Sequence, residues 1–449
     1  MSNSGRSNFA QQGRDVAAFT VGMTPVYART NAYGTTKPIV EERFELATSS
    51  VTNVPGSYSY FEIGRQWDGS REWYLRYDRT AGTYTSGYDA PYFEDWEIYS
   101  QIAYVQVIYN NKVVWLKKGE QLIDDMMDGL YCDADERGGF AKQQNGMLSL
   151  GERQARFGLA MTHMHAPLQL PWRSIKKSLI HVALPNKIRL EVYWNSNNQC
   201  VHQPLSTGTV PGTIQNLYLI TDAYHMLEED RASHYYAIYN GEKPYQIKTT
   251  DWEYEWRYGF TAASQNANTD YKIVIPIRNL RNATYAIKAK LQYQSHIDNP
   301  QTLDRQKQLP IRTMYLDDQG KNVTTFFNAR GGSAYQNSQS LMLDTDNVKA
   351  FPHAAPGSIL NFVKFCPNEF VLDSENNCYG SRTISKYSNP DMTIIYNSSF
   401  NVTMPYPDVS VIQNPIGTVS LTMMYVTLIS YIHQLVYQGQ SDFRRFLLV

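Results

Sequence analysis

Charge is scarce in this 449-residue chain: Asp, Glu, Lys and Arg together make up 18% of it, against roughly 25% in an ordinary soluble domain. It is also balanced, with 41 basic residues against 42 acidic for a net charge of −1. No global field draws the chain to nucleic acid or to an anionic membrane, so sequence-specific nucleic-acid binding is not expected. Cysteine is nearly absent. Cys132, Cys200, Cys366 and Cys378 are too sparse for a disulfide framework and point to a reducing compartment, Cys366 and Cys378 being the pair that a local loop could bring together. The opening MSNSGRSNFAQQGRDVAAF has no apolar core of signal-peptide length, and residues 1–23 read as an unprocessed, partly disordered arm.

The motifs of common chemistry are missing as well. The chain has no Gly-rich phosphate loop, no G-x-S-x-G elbow and no Cys pair at zinc spacing. His163-Met164-His165 would set two imidazoles on one side of a strand, as in the metal motif of cupin barrels. The Glu of that motif is lacking, and the nearest downstream carboxylate is Glu191. Asp133-Ala134-Asp135 with Gly138 opens like a calcium loop, yet Arg137 and Gln144 stand where oxygen ligands are required. Asp124-Asp125 and Glu228-Glu229 are adjacent pairs that diverge on a helix, poor geometry for acid–base work. Asn282, Asn322, Asn397 and Asn401 begin sequons that need secretory passage to be used. No catalytic, cofactor-binding or metal-ligating residue is assigned and no enzyme is expected, although a glycosidase recruiting carboxylates distant in sequence stays open.

What the chain does have is aromatic residues, 13% in all with 34 tyrosines, and strand periodicity from end to end. Trp252, Tyr254, Trp256 and Tyr258 alternate with Glu253, Glu255 and Arg257, which predicts a half-buried strand. Ile188, Leu190, Val192 and Trp194 alternate with Arg189, Glu191 and Tyr193 after Pro185-Asn186. Residues 102–109, Asn110-Asn111 and 112–116 read as a hairpin, the asparagines tolerating positive φ. Further strands are expected at 58–63, 73–77, 214–220, 271–277, 285–293 and 392–396. Gly417 to Val436 carries no formal charge and is long enough to span a bilayer, but Val419, Leu421 and Met423 alternate with Thr418, Ser420 and Thr422, which favours a sandwich strand. Helical patterns are few: 120–128, with Leu122, Ile123, Met126 and Met127 on one stripe ending at Gly129, and weaker ones at 174–180 and 226–236. Many short strands with long Gly/Asn/Ser-rich connections predict antiparallel sandwiches. Leu227-Glu228-Glu229-Asp230-Arg231 and Asn240-Gly241 mark a connector over 226–244 between nearly equal halves, 24–225 and 245–449.

Several pieces, taken in order, carry a family likeness. Ala166-Pro167-Leu168-Gln169-Leu170-Pro171-Trp172, then Ala183-Leu184-Pro185 and the strand 188–194, resembles the PLPFW … ALP … strand signature of double jelly-roll major capsid proteins in the adenovirus-like, nucleocytoplasmic large DNA virus lineage. Leu227-Glu228-Glu229-Asp230-Arg231 followed by His234-Tyr235-Tyr236-Ala237-Ile238 is similar to the connector before that family's second roll, and Gly380-Ser381-Arg382-Thr383-Ile384-Ser385 with 392–396 to its late strand element. Tyr109-Asn110-Asn111-Lys112 and Arg173 depart from the pattern, as in a distant member. The resemblance implies an all-β fold of two tandem eight-stranded jelly rolls with a few short helices in loops. It further implies a capsid protein that trimerises into pseudo-hexagonal capsomers of an icosahedral shell, without a cofactor. Its partners would be copies of itself, minor capsid or penton proteins and an internal membrane, and its place the virion after assembly inside a host cell. The competing classes are a carbohydrate-binding or carbohydrate-active tandem sandwich, favoured by the Tyr and Trp content, and a minor vertex or fibre protein. The long connections, roughly 117–158 and 298–356, are expected at the ends of the sandwiches, as towers or as locks on neighbouring subunits.

Overall fold

The computed structural model describes residues 39–46, 57–63, 67–85, 91–93, 96–128, 150–168, 170, 179–180, 186–195, 201–202, 209–225, 228, 231–232, 245–262, 270–277, 283–293, 313–322, 362–364, 382–397, 422–438 and 443–447. Among the described residues, sixteen of the twenty-one strands form two sets of eight; of the other five, Leu179–Ile180, Arg382–Thr383 and Phe443–Leu447 add to those sheets and Tyr92–Phe93 pairs with Val201–His202. The first set is β1 (Ile39–Leu46), β2 (Tyr58–Ile63), β3 (Gly69–Arg79), β4 (Ile102–Tyr109), β5 (Lys112–Lys118), β6 (Met161–Pro167), β7 (Ile188–Trp194) and β8 (Ile214–His225). The second is β9 (Tyr245–Ala262), β10 (Asp270–Pro276), β11 (Ala283–Tyr293), β12 (Thr313–Asp318), β13 (Lys321–Asn322), β14 (Phe362–Lys364), β15 (Pro390–Asn397) and β16 (Thr422–Gln438).

The first half builds sheets in the order β1-β8-β3-β6 and β2-β7-β4-β5, the second in the order β9-β16-β11-β14 and β10-β15-β12-β13. Adding eight to each label converts one half into the other. First-with-eighth, second-with-seventh, third-with-sixth and fourth-with-fifth are the rungs of one antiparallel ribbon. Winding it so that alternate rungs share a sheet gives the strand order of a jelly roll. Short helices interrupt the first half: α1 (Glu97–Gln101), α2 (Gly119–Asp128) and α3 (Leu150–Phe157).

Alternation decides which side of each strand is inside. In β7, Ile188, Leu190, Val192 and Trp194 are buried in the first core while Arg189 and Tyr193 are half-buried on the other side. The β4–β5 hairpin turns at Asn110 and Asn111 with φ of 51° and 59°, and the equivalent β12–β13 turn uses Gln319 and Gly320 at 51° and 78°, the left-handed pair that matches the twist of the flanking strands. The charge-free stretch expected as a strand is β16 from Thr422 onward, flanked by β9 on one side and β11 on the other. Its backbone groups therefore have neighbours on both edges. Among the described residues no helix is long and apolar enough to cross a membrane.

The structure corrects three expectations. Of the helix expected over 174–180, Leu179–Ile180 is instead a short strand pairing with Ser70 and Gly69, because the start of β3 offers a ladder edge there, and residues 174–178 lie outside the described residues. In β9 a bulge between Trp252 and Tyr254 shifts the register against β16, so the expected period of two is interrupted at Glu253. In the connection expected over 117–158, α2 does not stay at the end of its sandwich but folds sideways against the other half of the same chain, and residues 129–149 lie outside the described residues. Of the weak 226–236 helix, Glu228, Arg231 and Ala232 are helical and the rest lies outside the described residues.

Candidate functional site, an assembly surface

The residues considered for chemistry do not converge. His163 is exposed and has φ of 57°, at the irregularity where the register of β6 against β3 shifts. Its N–H donates to Asp78 Oδ1 at 2.8 Å, and Asn216, also left-handed at 49°, donates its Nδ2 to Asp78 Oδ2 at 2.9 Å. Asp78 thus pins irregularities on both sides of β3. Burial alone would raise its pKa, but these two bonds and the charges of His163 and Arg76 hold it below the ordinary carboxylate value. Among the described residues no cluster of three metal-ligating side chains occurs. The acidic turn at Asp133, all four cysteines, Asn282 and Asn401 lie outside the described residues.

What the fold does assemble is a seam between its halves. Gly119 opens α2 where a Cβ would stand 2.1 Å from the Tyr99 carbonyl oxygen and 2.2 Å from that of Ile102, so only glycine lets β5 run directly into the helix. The Lys118 N–H donates to Gln121 Oε1 at 2.9 Å, and Leu122 and Ile123 are buried in the first core. That leaves Glu120 and Asp124, one turn apart, facing the outer side of the β9-β16-β11 sheet. Arg257, Thr427 and Lys290 stand opposite one another in register there. Lys288 Nζ lies 3.3 Å from Asp124 Oδ1, Lys290 Nζ pairs with Asp124 Oδ2, and Arg257 reaches Glu120 at 4.0 Å. Side-chain exposure is 1% for Asp124 and 0% for Lys288. Such charges are tolerated in the interior because they are paired. Strand β11 is accordingly buried on both sides, Ile287, Ala289 and Leu291 toward the core and Lys288, Lys290 and Gln292 away from it. The sequence reading missed this seam: acids four residues apart on a helix and Lys-Ala-Lys on a strand were its available signals. The connector is tied as well. Arg231 grips the buried Asp68 with both prongs, at 2.7 and 2.9 Å, and that bond holds the guanidinium above its ordinary pKa.

The first half has two outer faces. On β2-β7-β4-β5, Tyr58, Tyr193, Tyr104 and Lys118 form one row in register, with ring centroids 5.1 Å apart for Tyr58–Tyr193 and 4.2 Å for Tyr193–Tyr104. Beside them Glu191 accepts from Gln106 at 2.6 Å and from the Tyr193 hydroxyl at 2.9 Å, and Arg189 lies over Tyr60. Burial and these bonds push the Tyr193 phenol well above its ordinary pKa. The tyrosines stack on one another, so their faces are spent internally, which weakens the case for sugar stacking. Leu116 and Val113 extend the face and are exposed. On β1-β8-β3-β6 the outward positions are Tyr218, Arg76 and His165 in one row and Ile220, Tyr74 and Pro167 in the next, with Arg76 5.5 Å from the Tyr218 ring centroid.

No family model and no curated protein sequence matches the chain. Its fold does match solved capsid structures along nearly the whole length of both partners. PBCV-1 VP54, as fitted into a reconstruction of the virophage Sputnik, superposes with a TM-score of 0.61 at 11% identity over 93% of this chain and 98% of that one. The Faustovirus major capsid protein gives 0.56 at 10% over 94% and 92%, and the mavirus major capsid protein 0.54 at 11% over 96% of each. At such identities the likeness is one of fold. The chain is an all-β protein with the fold of these capsid proteins, the one implied by the sequence resemblance.

Proposed function

We propose that the chain is the major capsid protein of an icosahedral DNA virus, a structural protein and not an enzyme, whose trimer presents six jelly rolls as a near-hexagonal capsomer. The observation that carries this reading is the end-to-end match to capsid proteins, 96% of both chains for mavirus, together with two halves whose eight-strand paths share one order. Two equivalent rolls per chain under threefold symmetry give a tile with six similar flanks. The division we propose is an arm over 1–23, a first roll over 24–225, a connector over 226–244 and a second roll over 245–449. It is supported by β8 ending at His225 and β9 beginning at Tyr245. By the same reading the chain is made in the host cell interior and resides in the virion, with copies of itself, minor capsid or penton proteins and an internal membrane as neighbours. Size-exclusion chromatography with light scattering on the full chain tests it. The expected species is a trimer at micromolar concentration, and a monomer under every condition tried overturns the reading.

A further inference from the structure

At the seam a carboxylate and an amine touch where water is excluded. Asp124 Oδ2 is in contact with Lys290 Nζ, and Oδ1 lies 3.3 Å from Lys288 Nζ. Side-chain exposure is 1% for Asp124, 9% for Lys290 and 0% for Lys288. Two ammonium groups of β11 thus face one carboxylate of α2, while Glu120, a turn earlier on the helix, pairs with Arg257. A second observation belongs to the same spot. Thr427, the register partner of Lys290 on β16, is 2% exposed, and its Oγ1 has no hydrogen-bond partner among the described residues.

We propose that Lys290 and Asp124 condense into an intramolecular amide, a covalent bond between the two halves that the folded chain makes for itself. Lys290 Nζ passes one proton to Asp124 Oδ2, and its freed lone pair attacks Cγ. The Nζ–Cγ bond forms, the Cγ–Oδ2 bond breaks, and Oδ2 leaves as water with that proton and a second one from the nitrogen. One ammonium and one carboxylate become one amide and one water, so atoms and charge balance and no co-reactant is consumed. Lys288 stands at Oδ1, where negative charge gathers in the tetrahedral intermediate, and its ammonium stabilises that charge. The amide N–H that results needs an acceptor, and the Thr427 hydroxyl stands beside Lys290 to provide it. Two physical effects favour the step. Fixed contact raises the effective concentration of the amine to on the order of 10⁵ M or more, and burial penalises the charged reactants but not the neutral amide that replaces them. Neither applies to a pair such as Lys187 and Glu62, whose side chains are 67% and 46% exposed, and such a pair stays ionic. The bond would enclose the connector in a covalent loop, so that the halves stay joined even where the connector is cut.

The test is the intact mass of the full-length protein, purified folded and then denatured. The expected mass is one water, about 18 Da, below that of the sequence. A tryptic digest should contain a branched peptide that joins the Asp124 segment to the Lys290 segment and is uncut after Lys290. Lys290→Arg keeps the charge but not the primary amine and should show the full mass. Lys288→Met keeps both reacting groups and should slow the loss of water on refolding about a hundredfold; loss at the parent's rate overturns the part given to Lys288. Cleavage within the connector should leave the parent protein a single covalent species under denaturing conditions. The full mass in the folded parent protein overturns the inference. So does a loss of water without the branched peptide, as cyclisation at Asp128-Gly129 would give. The mass of the parent protein decides the matter even where a variant folds poorly, and either result leaves the capsid reading standing.

Discussion

The two halves reach one strand order by different packing. The first core is built around Trp67, Trp73, Trp96, Trp115 and Trp194 with Tyr77, Tyr99, Tyr109 and Tyr224, whereas the described core of the second consists of Ile273, Ile275, Ile277, Ile287, Leu291, Leu316, Ile384, Ile394, Val426 and Leu428 with Met314, Met392 and Ala289. A buried indole or phenol seeks an acceptor, and the first half supplies one to Trp73, Trp194 and Tyr99. Trp73 Nε1 donates to Ser70 Oγ at 3.0 Å, Trp194 Nε1 to Ser59 Oγ at 3.1 Å, and the Tyr99 hydroxyl to the Pro167 carbonyl oxygen at 2.5 Å. Among the described residues, the fully buried side chains of the second core carry no indole or phenol donor to satisfy. The winding is therefore set by alternation and connection, not by the kind of side chain filling the interior. The first half carries the more polar scaffolding, and it should be the more sensitive to loss of single polar contacts.

The largest effect expected from that contrast is at Arg79, buried with Glu97 at 2.6 Å, donating also to the Arg156 carbonyl oxygen at 3.0 Å and lying over Phe93. Glu97→Gln should cost about 3–5 kcal/mol in chemical denaturation by leaving a buried guanidinium uncompensated; a loss below about 1 kcal/mol would show that charge pairing does not hold that end of the first half together. Next is the seam. Asp124→Asn strands Lys288 and Lys290 and should cost about 3 kcal/mol. Limited proteolysis near the connector should accelerate in parallel, since the halves lose their internal lock. The two cores can then be compared directly. Trp194→Phe, which orphans the Ser59 hydroxyl, should lose about 1–2 kcal/mol, whereas Ile394→Val should lose about 1 kcal/mol, with no polar component. Equal pH and salt responses are expected of both. The smallest effect is at Asp78. Its folded pKa lies below the ordinary value, so its contribution is present above the unfolded pKa and disappears as pH falls through the folded one. Asp78→Asn should cost about 1 kcal/mol at neutral pH, and thermal melts of variant and parent should converge below about pH 4.

Much of the fold was legible residue by residue. Ile188, Leu190, Val192 and Trp194 alternate with polar partners and are buried as the pattern requires, and Asn110-Asn111 marks the hairpin because few other residues accept two left-handed positions in succession. Leu179 and Ile180 were not legible as a strand, since two residues have no period and their conformation is dictated by the edge of β3. The bulge at His163 was not legible either. A left-handed bulge residue held by Asp78 has no signature in a three-residue motif.

The sequence by itself determined that the chain alternates into strands and which side of a strand such as β7 is apolar, because side-chain period and turn chemistry are local properties. Only the tertiary structure decided what covers the outer sides. Asp124 reads as one acid of an adjacent pair, and Lys288 and Lys290 read as a solvated strand face. All three are buried because α2 of one half lies across the sheet of the other, and a contact between residues 164 positions apart is encoded by the shape of the whole fold rather than by any stretch of chain.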